Sequence, residues 1–565
     1  MQIYLDDYLY LSDGKNASPA LTEAICALSD GDTLLLSEQR YDLFPSGASE
    51  DYYYISNNDA SLKPIAFHLK NKKNITVDGG GASLMFHGHM VPFVLDNCEN
   101  VTVKNLSVNY EIPHYAQGKI IESAENRLVL SYDGEEFFCK VKDGAFCFYS
   151  SEEGWENVIE AALSLEFDAE KKAPVSHRAP YFAYTGKPKD HGFLSAMFRD
   201  VTLRELTENT IEMTGKLGVT HQVGNYWVCT LRSREYPGIF ITDSKDILLE
   251  NVDLLHTASM GVICQLTENI TLRHVRAIPP EGSKRMLSVS ADATHFVNCR
   301  GKIEIDGCKF VSMMDDALNI HGIYNIFHKK INDIALLATY GHYQQKGINP
   351  YKPGDTVAVI DENTLKTLCT FTVKSSEKLS GDFLRIEADA PIPHIYEGCV
   401  LENLSTAPEV HIHHTESGNN RPRGFLLSTR GKTLVEHCTF YNMNHAIQIG
   451  GEMKDWYKSG AVSDITVRDN DFSNSAYAGG DVIFLSPRVN IPENAKDFHG
   501  KITIENNRFT MHEKRLLTAI GARELTFIHN TFHKDDTLPS HPAENDAGIV
   551  VKNCSDCNIE HPKDI

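Results

Sequence analysis

"KIEIDGCKF", residues 302–310, is the stretch whose reading decides the fold. Ile303 and Ile305 lie two apart, so they share one face of a strand. Cys308 and Phe310 resume that spacing after a slip of three, which marks a corner between two short arms. The segment reads as a bent rung.

The rung recurs along the chain. Copies are "NVTVKNLSV" at Asn100, "DILLENVDL" at Asp246, "NITLRHVRA" at Asn269, "KTLVEHCTF" at Lys432, "DITVRDNDF" at Asp464, "KITIENNRF" at Lys501 and "ELTFIHNTF" at Glu524, with a partial copy, "NITVDGGGA", at Asn74. The corner position reads Leu106, Val252, Val275, Cys308, Cys438, Asn470, Asn507 and Asn530. Stacked Cys and Asn at one corner are what aligned coils of a solenoid require. A coil cannot bury its apolar face alone, so neighbours must stack. The fold class is therefore all-β, a right-handed parallel β-helix.

Two intervals between copies are far longer than the rest. Residues 112–235 contain strand-like runs such as "NRLVLSY" and "EEFFCKV", and residues 324–407 contain "GDTVAVID", "LCTFTVK" and "DFLRIEA". Both are expected to be small inserted β-barrels that wall a binding groove. The segment from Ser18, with Leu21, Ile25 and Leu28, is expected to be an N-terminal capping helix. The expected organisation is cap and first coils over 1–111, a barrel over 112–235, central coils over 236–323, a second barrel over 324–407 and C-terminal coils over 408–565.

A formal net charge of -22 argues against a nucleic-acid partner. No apolar run is long enough to span a membrane. A hydroxyl-rich ligand fits better. Thirteen cysteines include one close pair, Cys554 and Cys557, which is too little for a zinc or redox motif. The opening "MQIYLDDYLYLSDGKN" lacks a signal-peptide pattern, so a cytoplasmic location is expected, with a secreted or periplasmic protein freed of its signal as the alternative.

"SMMDDALNIHG", residues 312–322, places Asp315 and Asp316 side by side after an apolar stretch. Excising a loop over Pro279–Ser288 from the preceding coil is expected to bring Asp292 directly under Asp315. Three carboxylates at such spacing repel, so at least one keeps its proton at neutral pH. Glycoside hydrolysis uses such a set: a protonated carboxyl serves the leaving oxygen and an ionised one activates water.

The stretch "SADATHFVNCRGKIEIDGCKFVSMMDDALNIHG", together with "YPGIFITDSKDILLENV", "MGVICQLTENITL" and "STRGKTLVEHCTFYNMNHAIQIGGEMKDWYKSGAV", resembles glycoside hydrolase family 110. The resemblance implies an inverting exo-α-1,3-galactosidase on a β-helix with inserted barrels, without metal or cofactor. It implies Asp315 as general acid, with Asp292 and Asp316 holding the attacking water. His321, Asn319 and His295 are expected to bond sugar hydroxyls, Trp456 to stack on galactose, and Arg430 and Gln265 to make further hydroxyl contacts. The family places an acid before the glycine of "AIQIGG"; here Gly450 and Gly451 come first, and Glu452 is expected to substitute. The expected partner is an oligosaccharide or glycoconjugate, and a homodimer is compatible with the sequence. Three alternatives stay open: a polygalacturonase-like hydrolase using Lys284, Arg285 and Arg430, although the groove segments are otherwise not basic; a non-catalytic carbohydrate-binding β-helix; and a calcium-dependent lyase.

Overall fold

The computed structural model describes residues 1–176, 179–186, 192–230, 234–489, 492–538 and 548–563. The two arms of each rung belong to separate parallel ladders. First arms pair in register from Val101 through Ile247, Ile270, Ile303, Val410, Thr433, Ile465 and Ile502 to Leu525. Second arms pair from Asp253 through Arg276, Lys309, Glu416, Thr439 and Asp471 to Arg508. A third parallel ladder completes each coil, through Ile239–Thr242, Val262–Gln265, Thr294–Val297, the start of Leu318–Lys330, Phe425–Leu427 and Ile447–Ile449. The chain is a parallel β-helix.

The corner has a local cause. The residue before it adopts a left-handed conformation, as at Asn251, His274, Gly307, His437 and Asn506, where φ is 53°, 52°, 62°, 53° and 56°. Gly and Asn tolerate that region at low cost. The next side chain turns inward, and there Asn470 donates to Asn507 at 3.0 Å and Asn507 to Asn530 at 3.0 Å. Phe440, Phe472 and Phe509 stack beside them at 4.9 and 4.8 Å, worth roughly 0.5–1.5 kcal/mol per pair beyond burial.

One coil was hidden from the repeat. Glu409–His413 and Glu416–Gly418 form a rung between those at 303 and 433, with Thr415 and Ser417 in the usually apolar places. Helix Ser18–Ala27 buries Ala20, Leu21, Ala24 and Ile25 in the main core with Leu28, as a cap should. Among the described residues no helix is long and apolar enough to cross a membrane.

Both insertions close on themselves. In the first, Tyr115–Ala124 pairs with Tyr226–Thr230, which pairs with Ala161–Asp168, and the ring returns through Tyr181–Tyr184, Phe198–Thr207, Thr210–Gly215 and Arg127–Ser131. In the second, Leu318–Lys330 pairs with both Ala335–Tyr340 and Cys399–Asn403, and four further pairings close a six-stranded ring. Leu318–Lys330 thus begins as a rung of the solenoid and ends as a barrel strand.

Candidate active site

The third ladder sets the site. Thr294 pairs with Leu318, and Leu318 with Phe425. Two residues before each lie Asp292, Asp316 and Arg423, so these three stack on successive coils. The Ala293 N–H donates to the Asp316 carbonyl at 2.9 Å, which fixes that alignment. The expected stacking of Asp292 under Asp315 is therefore off by one, because the excised loop was one residue misjudged. Asp315 lies in the bend ahead of the strand, where strict alternation does not apply, and it turns into the same cavity.

Oxygens of Asp292, Asp315 and Asp316 lie within 4.8 Å of one another. Arg423 grips Asp316 with two bonds of 2.7 and 2.9 Å, and Arg234 donates to Asp315 at 2.5 Å. Asn319 donates to Asp316 at 3.1 Å and to Asp292 at 3.5 Å, tying those two together, while Asp292 also meets His295 Nδ1 at 2.6 Å. The side chains of Asp292 and Asp316 are 3% and 1% exposed, that of Asp315 13%.

Charge divides along the same line. Burial raises Asp316, and although Arg423 opposes it, the Asp292 and Asp315 charges help bring it to about 7. Burial and the Asp315 charge raise Asp292 to about 6. Burial would raise Asp315 too, but Arg234, then Arg421 and Arg423, overcome it and hold Asp315 at about 2. A proton therefore goes to the Asp292–Asp316 pair before Asp315, which stays negative. The three carboxylates are close enough to hold a cation, but arginines already occupy oxygens of two of them.

These groups line one cavity of about 670 Å³. The first barrel contributes Leu163, Phe182 and Met197 and the second His342, Tyr343 and Gln344, so both insertions wall the site, as expected from sequence. His295, Asn319, Glu452 and Trp456 also line it. Trp456 packs against His342 at 4.0 Å between ring centres, and Glu452 accepts from the Trp456 N–H.

Three expected contacts lie elsewhere. His321 sits behind His295, bonded Nε2 to Nε2 at 2.8 Å, with its Nδ1 on the Gly322 carbonyl at 2.7 Å. It supports the site from beneath. Gln265 spends its amide on Ser56, Tyr54 and Thr242. Arg430 is paired through two bonds, of 3.0 and 2.6 Å, with the buried carboxylate of Glu402. Arg285 also turns away, bonding Asn109, the Tyr110 carbonyl and Glu136.

The expectation of a groove otherwise without basic residues is corrected. Arg234, Arg421, Arg423 and Lys458 all line the cavity. Arg423 was discoverable by aligning the third ladder rather than the first. Arg234 was not, since it stands where the first barrel rejoins the solenoid. Asp59 bonds both its N–H and its carbonyl, and the buried Lys63 ammonium holds the Glu235 carbonyl at 2.5 Å.

Comparison with known proteins places the chain in a family. The family described as GLAA-B beta-barrel domain II matches residues 335–397. Alpha-1,3-galactosidase B of Bacteroides thetaiotaomicron is 31% identical over 561 residues, covering 97% of this chain and 88% of that one. Alpha-1,3-galactosidase A of Shewanella woodyi is 32% identical over 540 residues, 94% and 85% of the two chains. Among solved structures, a family 28 exopolygalacturonase of Yersinia enterocolitica aligns over 100% of this chain and 79% of its own, with 9% identity and a TM-score of 0.40. At this identity over nearly the whole length, the chain belongs to the alpha-1,3-galactosidase family of glycoside hydrolases, family 110.

Proposed function

We propose that the protein removes terminal α-1,3-linked galactose with inversion and without a metal ion. The observation that carries this reading is the convergence of three carboxylates, unequal in charge, in one walled cavity. In an exo-acting site the sugar lies deepest and the leaving oxygen faces outward. Asp315, the most exposed of the three, meets that oxygen and donates the proton. Asp292 and Asp316, deeper and joined by Asn319, hold the water.

The proton starts on the Asp292–Asp316 pair rather than on Asp315. Sugar hydroxyls that draw Arg234 off Asp315 release the carboxyl to take the proton from the pair. The same transfer leaves the pair ionised and able to accept a proton from water. Acid and base are then set in one step.

Two carboxylates about 6.5–9.5 Å apart are usual for inversion and about 5–5.5 Å for retention. The closer spacing here is nearer that of retention, and what favours inversion is that each candidate nucleophile is clamped: Asp316 by two nitrogens of Arg423 and Asp292 by His295. Proton NMR of Gal-α-1,3-Gal hydrolysis tests this. β-Galactose is the expected first product, and α-galactose refutes inversion. Activity unchanged after exhaustive chelation is expected, because a cation would have to displace two guanidinium groups.

One observation favours a second reading. Among the described residues, Lys458 has no carboxylate within ion-pair distance although it lines the cavity, and burial, then Arg423, lowers its pKa. A free ammonium suits an acidic sugar. Turnover of a galacturonide but not a galactoside decides for that reading.

A further inference from the structure

We infer that the outer face of the solenoid carries a transition-metal site, of the kind that takes Zn²⁺, built from Asp306, His413 and His414. It lies on the first ladder, where strand Arg300–Asp306 pairs with Glu409–His413 and sets Asp306 beside His413. Ile303, Ile305, Val410 and Ile412 point into the core and are at most 1% exposed, so Glu304, Asp306, His411 and His413 stand together on the outer face. The left-handed corner at His414, φ 50°, follows directly.

The lone pairs make the case. His413 Nδ1 is 3.0 Å from His414 Nδ1 and 3.3 Å from Asp306 Oδ1. The other nitrogen, Nε2, is 3.4 Å from Glu304 Oε1. A proton on Nε2 serves Glu304 and leaves Nδ1 as an acceptor, facing a carboxylate and a second imidazole nitrogen. With the proton of the exposed His414 on its Nε2 as well, three acceptors meet at one point and a cation fits between them. An ion bound tetrahedrally at about 2.0–2.1 Å has ligands roughly 3.3–3.4 Å apart, close to the edges already present. Two imidazoles and one carboxylate are a donor set for zinc rather than for calcium or magnesium.

The surroundings leave these atoms free. His411 Nε2 is engaged by Glu436 at 3.0 Å, so it is not part of the set. Arg273 approaches the other oxygen of Asp306, Oδ2, at 3.6 Å and leaves Oδ1 to the histidines. Glu304 supports His413 as a carboxylate supports a ligating histidine in metal sites. His414 is exposed, so an ion can enter and a water can complete the shell.

The site has a structural consequence. Asp306 and His413 are neighbours in space but flank the second barrel in sequence, so an ion would staple the solenoid across that splice. Binding to the folded chain alone raises the unfolding midpoint as free zinc rises above the dissociation constant.

The test is calorimetric titration of chelator-stripped full-length protein with ZnCl2, followed by thermal unfolding with and without zinc. One equivalent and a raised midpoint are expected. His413→Ala and the exposed His414→Ala should each abolish stoichiometric binding, and Glu304→Gln should weaken it about 10–100-fold. His437→Ala, a neighbouring surface histidine outside the set, should leave it unchanged. Absence of saturable binding, or binding undiminished in His414→Ala, overturns the assignment. So does binding that disappears in Asp315→Asn, since that places the ion in the catalytic cavity instead.

Discussion

Asp315→Asn separates the acid from the base. The amide keeps the shape of the carboxyl and an oxygen for Arg234, and Asn420 still holds the residue 315 carbonyl at 2.9 Å, so the bend should survive. On Gal-α-1,3-Gal, whose leaving group needs a proton, loss of a general acid costs about 10²–10⁴ in rate. On α-galactosyl fluoride, whose leaving group needs none, the loss should stay below about tenfold. A second effect follows from charge. Asp315 lies within 4.8 Å of the other two carboxylates, and a like charge at that distance is worth about 3.5 kcal/mol at an effective dielectric near 20, or about 2.5 pKa units. Nearby arginines reduce this to roughly 1–2.5 units. Asp292 and Asp316, at about 6 and about 7 with Asp315 charged, should titrate lower once it is neutral. The rate on the fluoride rises as the pair loses its proton, so its ascending limb should move to lower pH by that amount. Stopped assays of both substrates between pH 4 and 9 read out both effects. Equal losses on the two substrates, or rescue by fluoride in Asp316→Asn instead, would refute the division of roles.

Three further outcomes are expected. Asn319→Ala removes the donor shared by Asp292 and Asp316 and should lower kcat about 10–100-fold, the worth of a hydrogen bond to a charged group, with little change in melting temperature. Arg430→Met strands the buried carboxylate of Glu402 and should cost about 2–3 kcal/mol, after allowance for Arg430 being 33% exposed, while KM stays unchanged. A shifted KM in that variant would return Arg430 to the sugar. Asn507→Ala breaks the corner ladder and leaves Asn470 and Asn530 short of partners, so chemical denaturation should show a loss of about 2–4 kcal/mol with activity intact at low temperature.

The coil repeat was readable because burial imposes it. Ile303, Ile305 and Phe310 must face inward on every coil, and the corner ladder adds a second constraint on the same rung. The coil at Glu409 escaped because Thr415 and Ser417 satisfy the corner through hydroxyl bonds rather than apolar packing, as when the Thr415 hydroxyl donates to the His413 carbonyl at 3.0 Å. In the site, Asp292, Asp315 and Asp316 were legible from coil spacing, to within one residue. Arg430 and Gln265 misled because a polar residue next to a coil serves a structural partner as readily as a ligand, and sequence shows no partner 28 or 209 residues away. Arg234 was invisible for a related reason: its aim depends on Asp59, Lys63 and a barrel exit that meet only in the folded chain.

The positions of the two insertions explain how one repetitive scaffold acquires a closed site. A bare solenoid offers a long open face, on which an extended polysaccharide could lie. Here the first barrel returns to the helix beside Arg234, and the second leaves it along the strand that carries Asn319 and His321. The splice points therefore coincide with the carboxylates. Walls from Leu163, Phe182 and Met197 on one side and His342 and Tyr343 on the other turn the open face into a cavity. Asp292 and Asp316 are set by the ladder, where the Ala293 N–H and the register of Thr294 with Leu318 fix their spacing, and Asp315 turns in from the bend beside them. Rigid coils set the distance between the carboxylates, and the inserted barrels line the space above them. Changes in the barrels should then alter which sugar is accepted before they alter how the bond is broken.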